Sequence, residues 1–317
     1  MKKEEWMDRV VEEVKRNLSE EFQVELCRRE SPISGIEKVI GIRKDPEPIG
    51  IAVYLELGGS HDFTEEGAGK VAKELLKEYR WKHQAMHQVF MDFSDFSQVE
   101  AQIVYVLENK KWNEKALLQV PYEEYLDLAK VYHLHQKVED EQGKITFLTR
   151  TITNRDIEEW GVSESRIKEA AEYNTPIVEA PYVYFLQDPV REETDEEREH
   201  AIEYVLKTIS DGNYDPKNPV ILTNLDQQYG AAGILYDGIL ERIAEAWKDD
   251  ILITLTSLHE ALLVPENQTS RTLEEMRQDA YTLNRIDDMD NDRLSDSIYR
   301  YSRADKTISI AAYAWES

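Results

Sequence analysis

Between Pro219 and Pro265 the chain reads PVILTNLDQQYGAAGILYDGILERIAEAWKDDILITLTSLHEALLVP, and its Ser-Leu-His-Glu step is the densest local grouping of reactive side chains. Ser257, His259 and Glu260 have the types that a hydrolase combines as nucleophile, base and orienting carboxylate. Such groups meet through the fold and not along a tripeptide, however. Neighbours on a strand also point to opposite faces, which sets His259 and Glu260 apart. Neither HExxH nor GxSxG is present. These residues, with Asn224 at the end of the preceding apolar run, are therefore candidate ligand-facing groups, and no catalytic residue is assigned.

Other groupings fall short of a site. His83 and His87 are spaced to share one face of a helix, and His133 and His135 one face of a strand. Each pair offers two ligands where zinc takes three or four protein groups, and nothing local supplies the rest. Gly230 to Gly233 reads GAAG ahead of a helix, without the GxGxxG pattern or the Lys-Ser/Thr of a phosphate loop. Close packing explains the small residues better. Asp287, Asp288, Asp290 and Asp292 resemble the start of a calcium loop. Counting from Asp288 puts Arg293 at the glycine position and Tyr299 at the bidentate glutamate position, so a solvated turn is the better account. No metal and no cofactor is expected.

The elements that position these groups follow from periodicity. Val10, Val11, Val14 and Leu18 predict an opening amphipathic helix. FQVELCRRE, KVIGIRK and IGIAVYLEL predict three strands, and Thr64 to about Tyr79 a second helix. VEAQIVYVLENKKWNEKALLQVP reads as two short helices ended by Pro121. Tyr125 to His135 predicts a strand, with KITFLTR its partner across an EDEQGK turn. Thr153 caps a helix from Asn154 with Asp156 near its start, Gly161 ends it, and Ser163 caps the next. Asp188 to Glu199 holds seven acids and two bases and reads as a solvated loop leading into a helix that ends near Ile209. In the block that opens this section, two apolar runs flank a helix carrying Ile234, Leu235, Ile239, Leu240 and Ile243.

The class this predicts is α+β, with mixed or antiparallel sheets and packed helices, because strand clusters alternate with helical groups without a sustained βαβ repeat. Two lobes are expected, 1–140 as an N-terminal α+β lobe and 141–317 as a C-terminal α/β-like one, with a single continuous domain as the alternative. At 317 residues with 41% hydrophobic side chains, 17 Tyr and 6 Trp, the chain can build a core. A single cysteine, Cys27, excludes an internal disulfide. No apolar run approaches the length of a membrane span, and the N-terminus lacks the apolar centre of a signal peptide. Cytoplasmic localisation is expected. The net charge of −26, from 64 acids against 38 bases, repels phosphates and so argues against direct nucleic-acid binding.

Several stretches resemble an uncharacterised clostridial/Firmicutes family catalogued as a domain of unknown function, number 5688. They are VPYEEYLDLAKVYHL (120–134), ITNRDIEEWGVSESRIKEAAEYNTP (152–176), the 219–265 block and LSDSIYRYSR (294–303). The early strands ending in IAVYLEL fit as well. The resemblance implies a bacterial cytosolic protein and supplies no activity, cofactor or catalytic residue. The resemblance implies a usual Pro-Ser-Ser step before the His-Glu pair, whereas Leu255, Thr256 and Ser257 stand here.

Three functional expectations result. The first is a non-enzymatic acidic protein that engages a basic protein partner, in mobile-element or defence biology. The second is an enzyme or small-ligand binder with a pocket near Asn224, Ser257, His259 and Glu260. The third is an oligomeric structural component, with the oligomeric state left open.

Overall fold

The computed structural model describes residues 3–31, 35–44, 51–54, 63–89, 95–139, 145–187, 200–255, 257–285 and 293–315. Within them the fold is α+β with three antiparallel sheets. The chain divides into two compact units: Met1–Phe93 with Gln136–Thr149, and Ser94–His135 with Arg150–Ser317.

In the first unit, helices α1 (Lys3–Arg16) and α2 (Glu65–Val89) accompany a meander of β1 (Phe22–Ser31), β2 (Gly35–Lys44) and β3 (Ile51–Tyr54). The helical spacing of Trp6, Val10 and Val14 gives α1 one apolar stripe, which packs with Val24, Ile40, Ile42 and Val53 of the strands and Ala72, Leu75 and Leu76 of α2. The expected helix of 64–79 runs ten residues further, to Val89.

The second unit holds the six-stranded sheet and most of the four-stranded one, of which residues 136–139 and 145–149 belong to the first unit. Helix α3 (Phe96–Val99) and a 3-10 turn (Glu100–Gln102) precede β4 (Ile103–Asn109), which pairs with β6 (Leu128–Glu139). The stretch read as two short helices is thus a strand followed by one turn of helix, α4 (Glu114–Leu117). IVYVLEN is buried on both faces, and a short continuous apolar run carries no period that separates a buried strand from a buried helix. Strand β5 (Tyr122–Tyr125) turns tightly into β6 through Leu126, whose φ is 56°, and β7 (Ile145–Thr151) also pairs with β6. The strand expected over 125–135 is thus β6 from Leu128 onward, paired with KITFLTR as expected, and the turn at 126–127 joins it to β5.

Helices α5 (Asn154–Trp160) and α6 (Glu164–Val178) begin as the sequence predicts. Thr153 and Asp156 form a reciprocal capping box, Gly161 closes α5 at φ 64°, and Ser163 caps α6. Then come β8 (Pro181–Phe185), α7 (Ala201–Ser210), β9 (Val220–Asn224), a 3-10 turn (Gly230–Leu235), α8 (Ile239–Trp247), β10 (Ile251–Thr254), β11 (Ala261–Pro265), α9 (Leu273–Leu283), β12 (Ile298–Ser302) and β13 (Thr307–Ala312). The six-stranded sheet runs β13-β12-β10-β11-β9-β8. GAAG does not lead directly into the α-helix. It forms the 3-10 turn itself, and α8 starts only after Gly238, so Ile234 and Leu235 lie outside the helix expected to carry them. The acidic run 188–199 and the aspartates 287–292 lie outside the described residues.

Candidate functional site

The register of β8 on β9 sets Pro181 opposite Asn224. Helix α6 ends three residues earlier, at Val178, with Pro176 in its last turn and Glu179 as its C-cap. The carboxylate of Glu179 is therefore delivered to the side chain of Asn224, which donates to Glu179 Oε2. Both are buried, Glu179 at 4% and Asn224 at 1% exposure. The other oxygen of Glu179 pairs with Nδ1 of His135, itself buried on β6. A buried carboxylate costs stability unless its oxygens find partners; here one oxygen accepts from the Asn224 amide and the other lies against the His135 imidazole.

Asn224 also governs the loop that follows it. Its Oδ1 accepts from the Gln228 N–H at 2.9 Å, and its Nδ2 donates to the Gln228 carbonyl at 2.5 Å. This clamps a turn in which Gln227 and Tyr229 both have left-handed backbone, φ 54° and 57°. Neither is glycine, and residues held in such conformations cost of order 1–3 kcal/mol unless the surroundings determine them. The clamp supplies that determination, and its product is the placement of one ring. Tyr229 lies 5.9 Å from His133, 6.3 Å from His135 and 5.7 Å from His259, centroid to centroid. Two imidazoles of β6 and one from the loop before β11 thus gather around one phenol ring.

His259 is fixed on three sides. Its Nδ1 accepts the backbone N–H of Tyr229 at 3.1 Å, its own N–H donates to Ser257 Oγ at 2.9 Å, and its carbonyl accepts from Thr223 Oγ1 at 2.7 Å. A backbone N–H can only donate, so Nδ1 must be the unprotonated nitrogen, and the neutral ring carries its proton on Nε2. His133 Nε2 lies 3.3 Å from Thr151 Oγ1 and 4.0 Å from Glu108. Behind the network the Tyr236 ring meets Tyr105 edge-on at 6.3 Å. Burial pushes the Tyr236 hydroxyl far above its ordinary range, helped by Tyr105 and by the charge of Glu179.

Gly230 shows how closely this corner is packed. A Cβ there would stand 2.4 Å from Thr223 Oγ1, 2.5 Å from the Asn224 nitrogen and 2.7 Å from the His259 carbonyl oxygen. Gly233 similarly faces Leu222 at 3.3 Å. The small residues of GAAG serve close approach of a turn to a strand.

Of the four residues singled out in the sequence, Asn224, Ser257 and His259 come together. Glu260 does not join them. It lies toward Tyr184, whose hydroxyl is raised by burial and then by the Glu260 charge, and its own carboxyl is raised by burial against the pull of His259. Ser257 bonds the backbone of His259 and not its imidazole, so the hydrogen bond that would activate a serine is not among its contacts. Glu179, Tyr229 and Tyr236 escaped the sequence reading. No local pattern marks them, since a carboxylate at a helix end and a tyrosine in a polar loop are ordinary. His133 and His135 were legible as a pair sharing a face, but not their partners. Among the described residues no group of three or more His, Cys, Asp or Glu is arranged to hold a metal.

A protein-family model matches residues 3–303 and so spans every member of this network. The chain belongs to the family of unknown function DUF5688. The DUF5688 match assigns no role to any residue, and no curated protein and no solved structure matches the chain. In this member of DUF5688 Leu255 is fully buried and Ser257 accepts the His259 N–H. Among the described residues no helix is long and apolar enough to cross a membrane.

Proposed function

We propose that this is a small-ligand-binding protein whose site centres on Tyr229 and His259, with His133 and His135 completing the wall and Glu179 and Asn224 holding it from behind. The observation that carries this reading is the convergence of three imidazoles on a tyrosine held in left-handed backbone. Strained backbone clusters where geometry serves a ligand, and a site of few polar groups over rigid elements is the usual form of a small-molecule pocket. His259 is half-buried, and a ligand that presents an oxygen acceptor, such as a carboxylate or phosphate, suits a site lined by imidazoles. The Glu179–His135 pair is built like a base and its orienting carboxylate, but the serine nearest the site faces backbone, so binding is favoured over hydrolysis.

Calorimetry with a panel of small carboxylates and phosphate esters tests this. A ligand is expected that binds the wild type and loses at least tenfold in affinity with His259→Ala, while shifting the imidazole resonances of His133 and His135. Ligands that bind both proteins equally would place binding elsewhere.

A second reading, an acidic cytosolic protein that engages a basic partner, rests on the net charge of −26. Against it, many carboxylates are already paired within the chain: Glu13 with Arg9 and Arg16, Glu123 with Lys130 and Lys168, Glu241 with Lys306. Capture of a stoichiometric basic protein that is released as salt rises would restore that reading.

A further inference from the structure

The six-stranded sheet presents a second face. Along β11, Ala261 and Leu263 are fully buried and share the side of Leu222 and Asn224, while Leu262 and Val264 alternate to the opposite side and are only half-buried. On that opposite side α9 covers one half of the sheet, with Met276 and Ala280 packed on Leu252 and Ile298. The neighbouring strip of Thr254, Leu262 and Val264 is left beside α9, and the Pro216–Pro219 loop walls the other side. The result is a cavity of about 280 Å³. Its floor and far wall are apolar, from Leu262, Val264, Met276 and Leu283. Its volume is at the small end of ligand sites, which run to roughly 300–1,000 Å³.

The rim has a definite charge. Arg271 is paired with Asp279, so those two lining residues cancel. Lys217, also lining the cavity, is exposed and makes no ion pair among the described residues. Asp215 accepts the backbone N–H of Lys217 at 2.9 Å, and the Lys217 ammonium, in no ion pair among the described residues, stands at the mouth of an apolar cavity on a protein whose net charge is −26. A second apolar surface would leave that ammonium unused, and a multiply charged anion would have one cation for several charges. A singly charged head on an aliphatic tail satisfies both parts.

We propose that this cavity binds a medium-chain aliphatic carboxylate, its tail along Leu262, Val264 and Leu283 and its head at Lys217. Each buried methylene contributes a nearly constant increment, so the dissociation constant falls about fourfold per added carbon until the tail outgrows the cavity.

Titration calorimetry with hexanoate, octanoate and decanoate reads that slope on the full chain. Octan-1-ol, which keeps the tail and lacks the charge, is expected to bind about two- to fivefold more weakly than octanoate, the range of an exposed ion pair. Lys217→Glu, an exposed substitution that spares the core, is expected to abolish that preference. Leu262→Trp fills the cavity and is expected to abolish binding of both probes, with circular dichroism confirming the fold. Absence of octanoate binding at millimolar concentration overturns the proposal. So does binding that grows with chain length yet is unchanged in both variants, because it then lies at another surface.

Discussion

Asn224→Ala is the sharpest probe of how the site is built. The side chain is 1% exposed and makes three hydrogen bonds, two to the backbone of Gln228 and one to the carboxylate of Glu179. A hydrogen bond between neutral groups is worth about 1 kcal/mol net, and one to a charged group about 1.5–3 kcal/mol. The truncation is therefore expected to cost about 4 kcal/mol. Part of this arises because Glu179 stays buried with His135 as its remaining partner, and part because Gln227 and Tyr229 lose the clamp that holds their left-handed backbone. For a unit of this size, about 4 kcal/mol lowers the melting temperature by about 8–16 °C. Calorimetric and urea unfolding measure it, with the transition of the second unit followed by Tyr and Trp fluorescence. Asn224→Asp keeps the shape but turns the donor toward Glu179 into a second carboxylate. The new group is driven toward its protonated form in the fold, so its penalty is largest at neutral pH and shrinks as pH falls toward 4. A loss under about 1 kcal/mol for Asn224→Ala, or a pH-independent loss for Asn224→Asp, would refute the clamp and with it the positioning of Tyr229.

Three further outcomes are expected. Gly230→Ala should destabilise by about 2–3 kcal/mol or more, since two of the three colliding atoms are backbone, whereas Gly69→Ala in α2, where a Cβ meets nothing within 4 Å, should stabilise by about 0.5–1 kcal/mol; paired urea melts decide it. Burial raises the Asp156 carboxyl, but the Thr153 hydroxyl and N–H and the Arg150 guanidinium outweigh it and hold the group below its ordinary value. Its contribution is then present above the unfolded carboxylate value and lost as pH falls through the lower folded value, so Asp156→Asn should flatten the acid limb of the stability profile. Burial raises Glu260 instead, which means that ionisation costs stability once pH passes the unfolded value. Glu260→Gln should be more stable than the wild type at pH 7 and equal to it near pH 3, measured by melting across that range.

The helix starts were legible because their signals are local. Thr153 with Asp156, Ser163 and Gly161 act within one turn of themselves, so four residues carry the information. The amphipathic stripe of α1 and the apolar face of α7 at Ala201, Val205 and Ile209 were legible for the same reason. Strand β4 was not, because burial on both faces removes the period that identifies a strand. The shared face of His133 and His135 followed from strand alternation, whereas His259 and Glu260 lie in the loop between β10 and β11, where that alternation does not apply.

The α+β class, the capped helices, the net charge of −26 and the family were all readable from the residues alone, whereas the choice of antiparallel over mixed sheets was not. The sequence also pointed to Asn224, Ser257 and His259 as a group. What these side chains face is set by long-range packing. Glu179 lies 45 positions from Asn224 and 44 from His135, and Tyr229 lies 94 from His135. Contacts at such separation depend on sheet register and on where one helix ends, which are set by the packing of the whole unit and leave no mark on neighbouring residues. The same holds for the cavity beside α9, whose lysine and leucines become neighbours only when the sheet and the helix leave a strip between them uncovered.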